Sequence, residues 1–181
     1  MAAPPEKTVR DINGSWLLNK ALSGSTEKLM ALQGVSWLMR KAILLAEITI
    51  CIDQHGSGPD TTIILENKAN FGIKATTETR KLDWVTAYHK DSIWGEVYGR
   101  SKFVSAAEVS QDATLMGLFQ HFEMEVQDIV YSEAGATSGT WNSQMVWAFE
   151  TISETRYFVR NTRVSKAADE EFARIVYDYL Q

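Results

Sequence analysis

Trp141-Asn142-Ser143-Gln144-Met145-Val146-Trp147-Ala148-Phe149 is the stretch that decides the fold. Period-two alternation puts Trp141, Ser143, Met145, Trp147 and Phe149 on one face, and a face so aromatic must be buried. The strand texture runs outward from it in both directions. Downstream, 156–166 and 171–180 are rich in β-branched and aromatic residues; upstream, so are 125–133, 93–104, 73–84, 61–68 and 48–54. Turn clusters separate these runs: His55-Gly56-Ser57-Gly58-Pro59-Asp60, Lys68-Ala69-Asn70-Phe71-Gly72, Ala134-Gly135-Ala136-Thr137-Ser138-Gly139 and Lys166-Ala167-Ala168-Asp169. Connectors this short join antiparallel neighbours in up-and-down order. About eight to ten such strands fit a barrel or a sandwich.

The helical signal settles the choice. Over 25–47, Leu29, Met30, Leu32, Val35, Trp37, Leu38, Ile43, Leu44 and Leu45 recur at helical spacing. Ser25 and Thr26 can cap the start, and Glu27 suits the positive end of the helix dipole. Gly34 interrupts the run at a C′ position, which predicts two short helices rather than one long one. A sandwich has no place for such a pair, whereas a barrel can use it to cover an open end. The expectation is therefore all-β: a closed, up-and-down antiparallel β-barrel of about eight to ten strands with a helix-turn-helix lid at 24–47. The segment 106–124 neither alternates nor caps cleanly. It reads as a long connection with a helical turn and as a candidate second flap over the barrel mouth.

The 181 residues suit a single domain over 1–181, with a flexible N-terminal arm at 1–10. No segment reaches the roughly 18 to 20 uncharged apolar residues of a membrane span, and the N-terminus lacks a signal-peptide core. A net charge of −5 and a pI near 5.2 argue against a nucleic-acid partner and for a neutral or mixed-polarity small molecule; the partner expected is a hydrophobic small-molecule substrate, with a homodimer left open. The single cysteine, Cys51, lies in an apolar run and reads as a buried thiol in a reduced, cytoplasmic protein. His55, His89 and His121 are scattered without metal-ligand spacing, and no nucleophile elbow, P-loop or dinucleotide fingerprint is present. The expectation is thus no metal and no cofactor.

Gly14-Ser15-Trp16 resembles the opening strand of lipocalins and fatty-acid-binding proteins. Leu32-Gln33-Gly34-Val35-Ser36-Trp37-Leu38-Met39-Arg40-Lys41-Ala42 resembles the helix-turn-helix lid of the latter. Phe172-Ala173-Arg174-Ile175-Val176-Tyr177 is similar to that family's closing strand, whose Arg-x-Tyr pair binds a carboxylate. Here two residues separate Arg174 from Tyr177, an odd offset that places them on opposite faces, so the clamp does not carry over as a pair. Asp91-Ser92-Ile93-Trp94-Gly95, Gly99-Arg100-Ser101-Lys102-Phe103, Gln144-Met145-Val146-Trp147-Ala148-Phe149, Arg156-Tyr157-Phe158-Val159-Arg160 and Val176-Tyr177-Asp178-Tyr179 look like the fungal lipocalin-like (calycin) proteins of natural-product pathways. The resemblance runs from Asp11 to Leu180 and implies a pocket. It also implies, for some members, pericyclase activity, including hetero-Diels–Alder joining of a terpenoid alkene to a polyketide-derived quinone methide.

A cycloaddition needs no nucleophile, metal or base, only two π-systems held in one near-attack orientation, which can be worth roughly 7 to 11 kcal/mol at its limit. Aromatic walls orient the partners, and a hydrogen-bond donor polarises a carbonyl. A non-catalytic carrier of a hydrophobic molecule is the alternative, and an acid–base isomerase or cyclase using His89 or Glu123 is a third. On 156–164 one face carries Arg156, Phe158, Arg160 and Thr162, the other Tyr157, Val159, Asn161 and Arg163. The second is the more apolar and is expected to point inward, leaving the arginines of the first in solvent. An arginine found buried would need a partner or a ligand anion. Lid position and alternation give Tyr88, Asn161 and Arg40 as candidate catalytic residues. Trp37, Trp84, Tyr131, Trp141, Trp147, Tyr157 and Tyr177 are the candidate ligand contacts.

Overall fold

The computed structural model describes residues 1–70 and 72–180; Phe71, counted above in a turn cluster, lies outside the described residues. Ten strands follow in chain order: β1 (Gly14–Leu18), β2 (Ile48–His55), β3 (Thr62–Ala69), β4 (Thr76–Lys81), β5 (Ala87–Asp91), β6 (Gly95–Val104), β7 (Ile129–Ala136), β8 (Asn142–Ile152), β9 (Thr155–Lys166) and β10 (Asp169–Tyr179). They form one antiparallel sheet in the order β4-β3-β2-β1-β10-β9-β8-β7-β6-β5, which curls into a barrel. Helices α1 (Glu27–Leu32) and α2 (Trp37–Leu45) stand between β1 and β2; α3 (Ala106–Val109) and α4 (Ala113–Phe122) stand between β6 and β7.

The up-and-down barrel with a helical lid is present, but its closure differs from a full ladder. β4 pairs only with β3 and β5 only with β6, and the seam between β4 and β5 is crossed at one end, where the Asp83–Lys102 bridge forms and the Trp84 amide donates to the Ser101 carbonyl at 3.0 Å. Both seam strands are polar, with Thr77, Thr79, Lys81 and Lys90 exposed, a composition that blunts an edge rather than pairing it. The same polarity hides β5 in a sequence whose expected strand ran over 73–84.

One end of the barrel is filled. Trp16, Trp147, Phe158, Ile12, Ile50 and Ile63 are fully buried, and the Trp16 ring packs against Phe158 at 5.1 Å and Tyr179 at 4.9 Å. Residues 1–10, expected as a flexible arm, instead close this end. Ala3 and Val9 are buried, the Ala3 amide donates to the Arg156 carbonyl at 2.7 Å, and the Tyr179 amide donates to the Met1 carbonyl at 2.9 Å. Arg156 donates to the Pro4 and Lys7 carbonyls at 3.0 and 2.7 Å, so two apolar anchors and a satisfied guanidinium hold a segment that has no periodicity of its own.

The larger correction concerns 106–124. It is not a flap over the mouth; α3 and α4 lie against the outside of the barrel. Leu115, Leu118 and Phe119 of α4 pack on Val146, Ala148, Val159 and Val176, the outward residues of β8, β9 and β10. Asp112 caps α4 by accepting from the Thr114 and Leu115 amides at 2.9 and 3.0 Å, and Ser105 with Glu108 forms a capping box on α3. Both faces of β9 are therefore covered, one by the barrel interior and one by α4. Alternation with apolar residues on both sides gives no single inward face, and the inward face is the one carrying Phe158 and Arg160.

Candidate functional site

The other end of the barrel is hollow. A cavity of about 490 Å³ lies under the lid, within the roughly 300–1,000 Å³ usual for small-molecule sites. Its space comes from small residues at alternate inward positions: Gly99 on β6, Ser132 and Ala134 on β7 and Ser143 on β8. At the filled end the matching positions carry Phe103, Val130 and Trp147. Asn67, Glu78 and Arg80 form the wall on β3 and β4, Met145 of β8 and Trp141 just before it form the opposite wall, and Arg160 rises from β9. The roof is Gln33 at the end of α1, Ile43 of α2 and the β5–β6 turn with Trp94. The Trp94 indole N–H donates to Gln33 Oε1 at 3.1 Å and ties the turn to the lid, while Leu29 of α1 seats on Val164 and Ala173.

Two guanidinium groups reach the bottom of this cavity. Arg80 pairs with Glu78 at 2.6 Å and donates to Ser101 Oγ at 3.4 Å, and Ser101 and Ser132 share a hydrogen bond of 2.9 Å. The Arg160 guanidinium lies 5.0 Å from the Trp147 ring centroid, and that of Arg80 lies 5.4 Å from the same ring. Burial pulls the Arg80 proton affinity down; Glu78 opposes this and the charge of Arg160 adds to it. Burial also pushes the Tyr177 phenol up, with Arg160 opposing. Arg80 Nε and the Trp147 indole N–H are buried donors without a partner among the described residues, as is the Thr162 hydroxyl.

Of the residues expected from the sequence, Trp141 lines the cavity, packed with Trp94, Val97 and Ala136. Trp147 and Tyr177 are inside the barrel beneath it, where their rings flank Arg160. Arg174 and Tyr177 do lie on opposite faces: Arg174 points out and pairs with Glu150 at 3.0 Å. The remaining seven are elsewhere. Asn161 is on the outer face, donating to Glu150 Oε1 at 2.6 Å and Met124 Sδ at 2.9 Å beneath the end of α4. Tyr157, Tyr131 and Trp84 share that face, with Tyr131 donating to Glu133 at 2.9 Å and Arg100 lying 4.2 Å over Trp84. Tyr88 points outward from β5 and is 72% exposed; Trp37 on α2 is 62% exposed. Arg40 donates to the Val35 carbonyl at 2.7 Å and buttresses the lid.

Arg80, Arg160, Trp94 and Gln33 went unrecognised. For Arg160 the sequence offered a polar residue between Phe158 and Thr162, indistinguishable from a solvated strand until α4 is placed. His89 lines the cavity mouth, whereas Glu123 is the left-handed C-cap of α4 and faces away. Among the described residues no cluster of three His, Cys, Asp or Glu could hold a metal ion, and no helix is long and apolar enough to cross a membrane.

Ten antiparallel strands, a lid of two short helices and a half-filled interior make up the barrel fold seen in solved fatty-acid-binding proteins. The solved structures most like it include a REP1-NXSQ fatty acid transporter (TM-score 0.64, 15% identity, 94% of this chain and 97% of that one). Fatty-acid-binding protein 1 of Echinococcus granulosus (0.62, 16%, 94% and 98%) and lipid binding protein 8 of Caenorhabditis elegans (0.65, 15%, 93% and 94%) share the fold as well. No family model matches the sequence. Two curated fungal relatives match over their whole length. A probable pericyclase, scpY, of Mollisia scopiformis is 24% identical over 184 residues, covering 99% of this chain and 95% of the relative. The pericyclase pydY of an Acremonium species is 26% identical over 183 residues, covering 99% and 97%.

Proposed function

We propose that the protein is a pericyclase that folds its substrate in the cavity beneath the lid and accelerates a (4+2) cycloaddition, in particular a hetero-Diels–Alder reaction, between terpenoid- and polyketide-derived partners. The observation that carries the reading is the full-length similarity to two proteins named pericyclase. The cavity supports it: aromatic and aliphatic walls on one side and hydrogen-bond donors on the other. Trp141, Ile43 and Met145 supply contact surface that confines a flexible substrate, and Arg80 or Arg160 supplies the donor that lowers the energy of a polarised carbonyl. Three π bonds of the heterodiene and the alkene become two σ bonds between the partners and one new π bond; nothing leaves, and the protein moves no proton. A carrier without chemistry is the second reading, favoured by the structural neighbours, which include a fatty acid transporter and a lipid binding protein.

The test incubates the purified protein with an ortho-quinone methide generated in solution and a terpenoid alkene, and in parallel with a linear triene able to cyclise on itself. The reading expects a rate above buffer and a shifted diastereomer ratio in one of the two. Saturable binding of these compounds with buffer rate and buffer ratio would establish the carrier instead.

A further inference from the structure

The charges at the bottom of the cavity do not balance. Two guanidinium groups, Arg80 and Arg160, face it, and one carboxylate, Glu78, is bound to Arg80. Arg160 has no carboxylate of the described residues within salt-bridge distance. Its Nε donates to a thioether, Met145 Sδ at 3.3 Å, which is a weak acceptor, and its other neighbours are the Trp147 ring and the neutral phenol of Tyr177, neither of which carries a negative charge. A guanidinium keeps its proton, and Arg160, half-buried and lining the cavity, presents that charge to whatever occupies it. Beside it stand buried donors with nothing to donate to: Arg80 Nε and the Trp147 indole N–H. These groups can only donate; the Thr162 hydroxyl, also unmatched, can donate or accept.

We propose that the cavity floor binds one negative charge carried on oxygen, a carboxylate or the anion of an acidic enol, between Arg160 and Arg80. The substrate class is then an acidic amphiphile: an oxyanion headgroup placed down on the two arginines and an apolar body running up past Trp141 towards the lid. The site differs from the closing-strand arginine–tyrosine pair, since Arg174 points out of the barrel and the arginines used lie on β4 and β9. Anchoring one end of the ligand fixes the depth at which its reactive carbons meet the walls. The inference rests on the cavity being the ligand site and not on the reaction performed there.

The test is binding alone, so it fails or succeeds independently of catalysis. The probes are 8-anilinonaphthalene-1-sulfonate and N-phenyl-1-naphthylamine, which share an aromatic body and differ in the anionic group. Wild type is expected to bind the anionic probe at least tenfold more tightly. Arg160→Leu is expected to erase that preference while leaving the neutral probe within twofold, and Arg160→Lys to restore part of it. Competition by 2-naphthoate and by 2-hydroxy-1,4-naphthoquinone then tells carboxylate from acidic enol. Equal affinity of the two probes for wild type would overturn the proposal without any variant, and so would an equal loss of both probes in Arg160→Leu. Intact substrate turnover alongside either result would leave the pericyclase reading standing.

Discussion

Trp147 is fully buried, its indole N–H has no partner among the described residues, and it lies against the guanidinium of Arg160. Such a position is costly for stability and is retained where a ligand uses it. Arg160→Leu is accordingly expected to leave the thermal midpoint of the empty protein unchanged or raised, measured by calorimetry; a drop of several degrees would mean that Arg160 is structural. Asn161, one residue along, behaves oppositely. Its amide satisfies Glu150, whose carboxyl is pushed up by burial and held back by Asn161 and Arg174. Asn161→Ala leaves a buried carboxylate oxygen without its donor and is expected to cost about 1–3 kcal/mol in denaturant unfolding, with probe binding in the cavity unchanged. Trp141→Ala is expected to weaken probe binding about tenfold per folded molecule, beyond the stability lost by removing a buried ring packed on Val97 and Ala136. Adjacent residues on one strand thus separate function from stability because alternation sends them to opposite sides of the sheet.

Among the elements, α4 decides which side is which. Phe119 is buried between α4 and the outer faces of β8 to β10, and Phe119→Ala is expected to lower stability by about 3–5 kcal/mol without altering cavity affinity. A change in cavity affinity larger than the loss of folded protein explains would place α4 in control of the pocket. The root of this insertion is held by Asp128, which accepts from the Ala106 amide at 2.9 Å and from Arg10 at 3.0 Å. The Ala106 hydrogen bond, with Arg10, holds the Asp128 carboxyl below the usual aspartate value. Since the folded value is the lower one, the stabilisation is complete above the ordinary aspartate range near 3.9 and is lost as pH falls through the folded value. The stability gap between wild type and Asp128→Asn is expected to hold steady from neutral pH down to about 5 and to close below it, by thermal unfolding at stepped pH. A gap independent of pH would show that the charge of Asp128 is not what matters. The strands and the lid were readable because each announces its own period: Trp141 to Phe149 alternates, and Leu29 to Leu45 recurs at helical spacing. The outward packing of α4 was not readable. It is a tertiary fact, and without it Tyr157, Val159 and Asn161 look like the better inward face. One wrong face carried Asn161 and Tyr157 out of the site and left Arg160 in solvent. Trp84 and Tyr131 were misplaced by the same outer layer.

At the scale of the whole molecule the barrel is divided: aromatic rings and the N-terminal segment fill one end, and small residues under a lid leave the other hollow. The alternation of Gly99, Ser132, Ala134 and Ser143 with larger neighbours was present in the sequence, but small residues mark a cavity only once the strands are in register. The central claim is that this hollow end, and not the protein surface, governs the cycloaddition proposed above. Ala134→Trp tests it by filling the cavity from β7 with no change to the outer face. The measurement is the product diastereomer ratio, with wild type, Ala134→Trp and Asn161→Ala run side by side against buffer. The account predicts a wild-type ratio kept by Asn161→Ala and returned to the buffer value by Ala134→Trp. A filled cavity that still gives the wild-type ratio would contradict it.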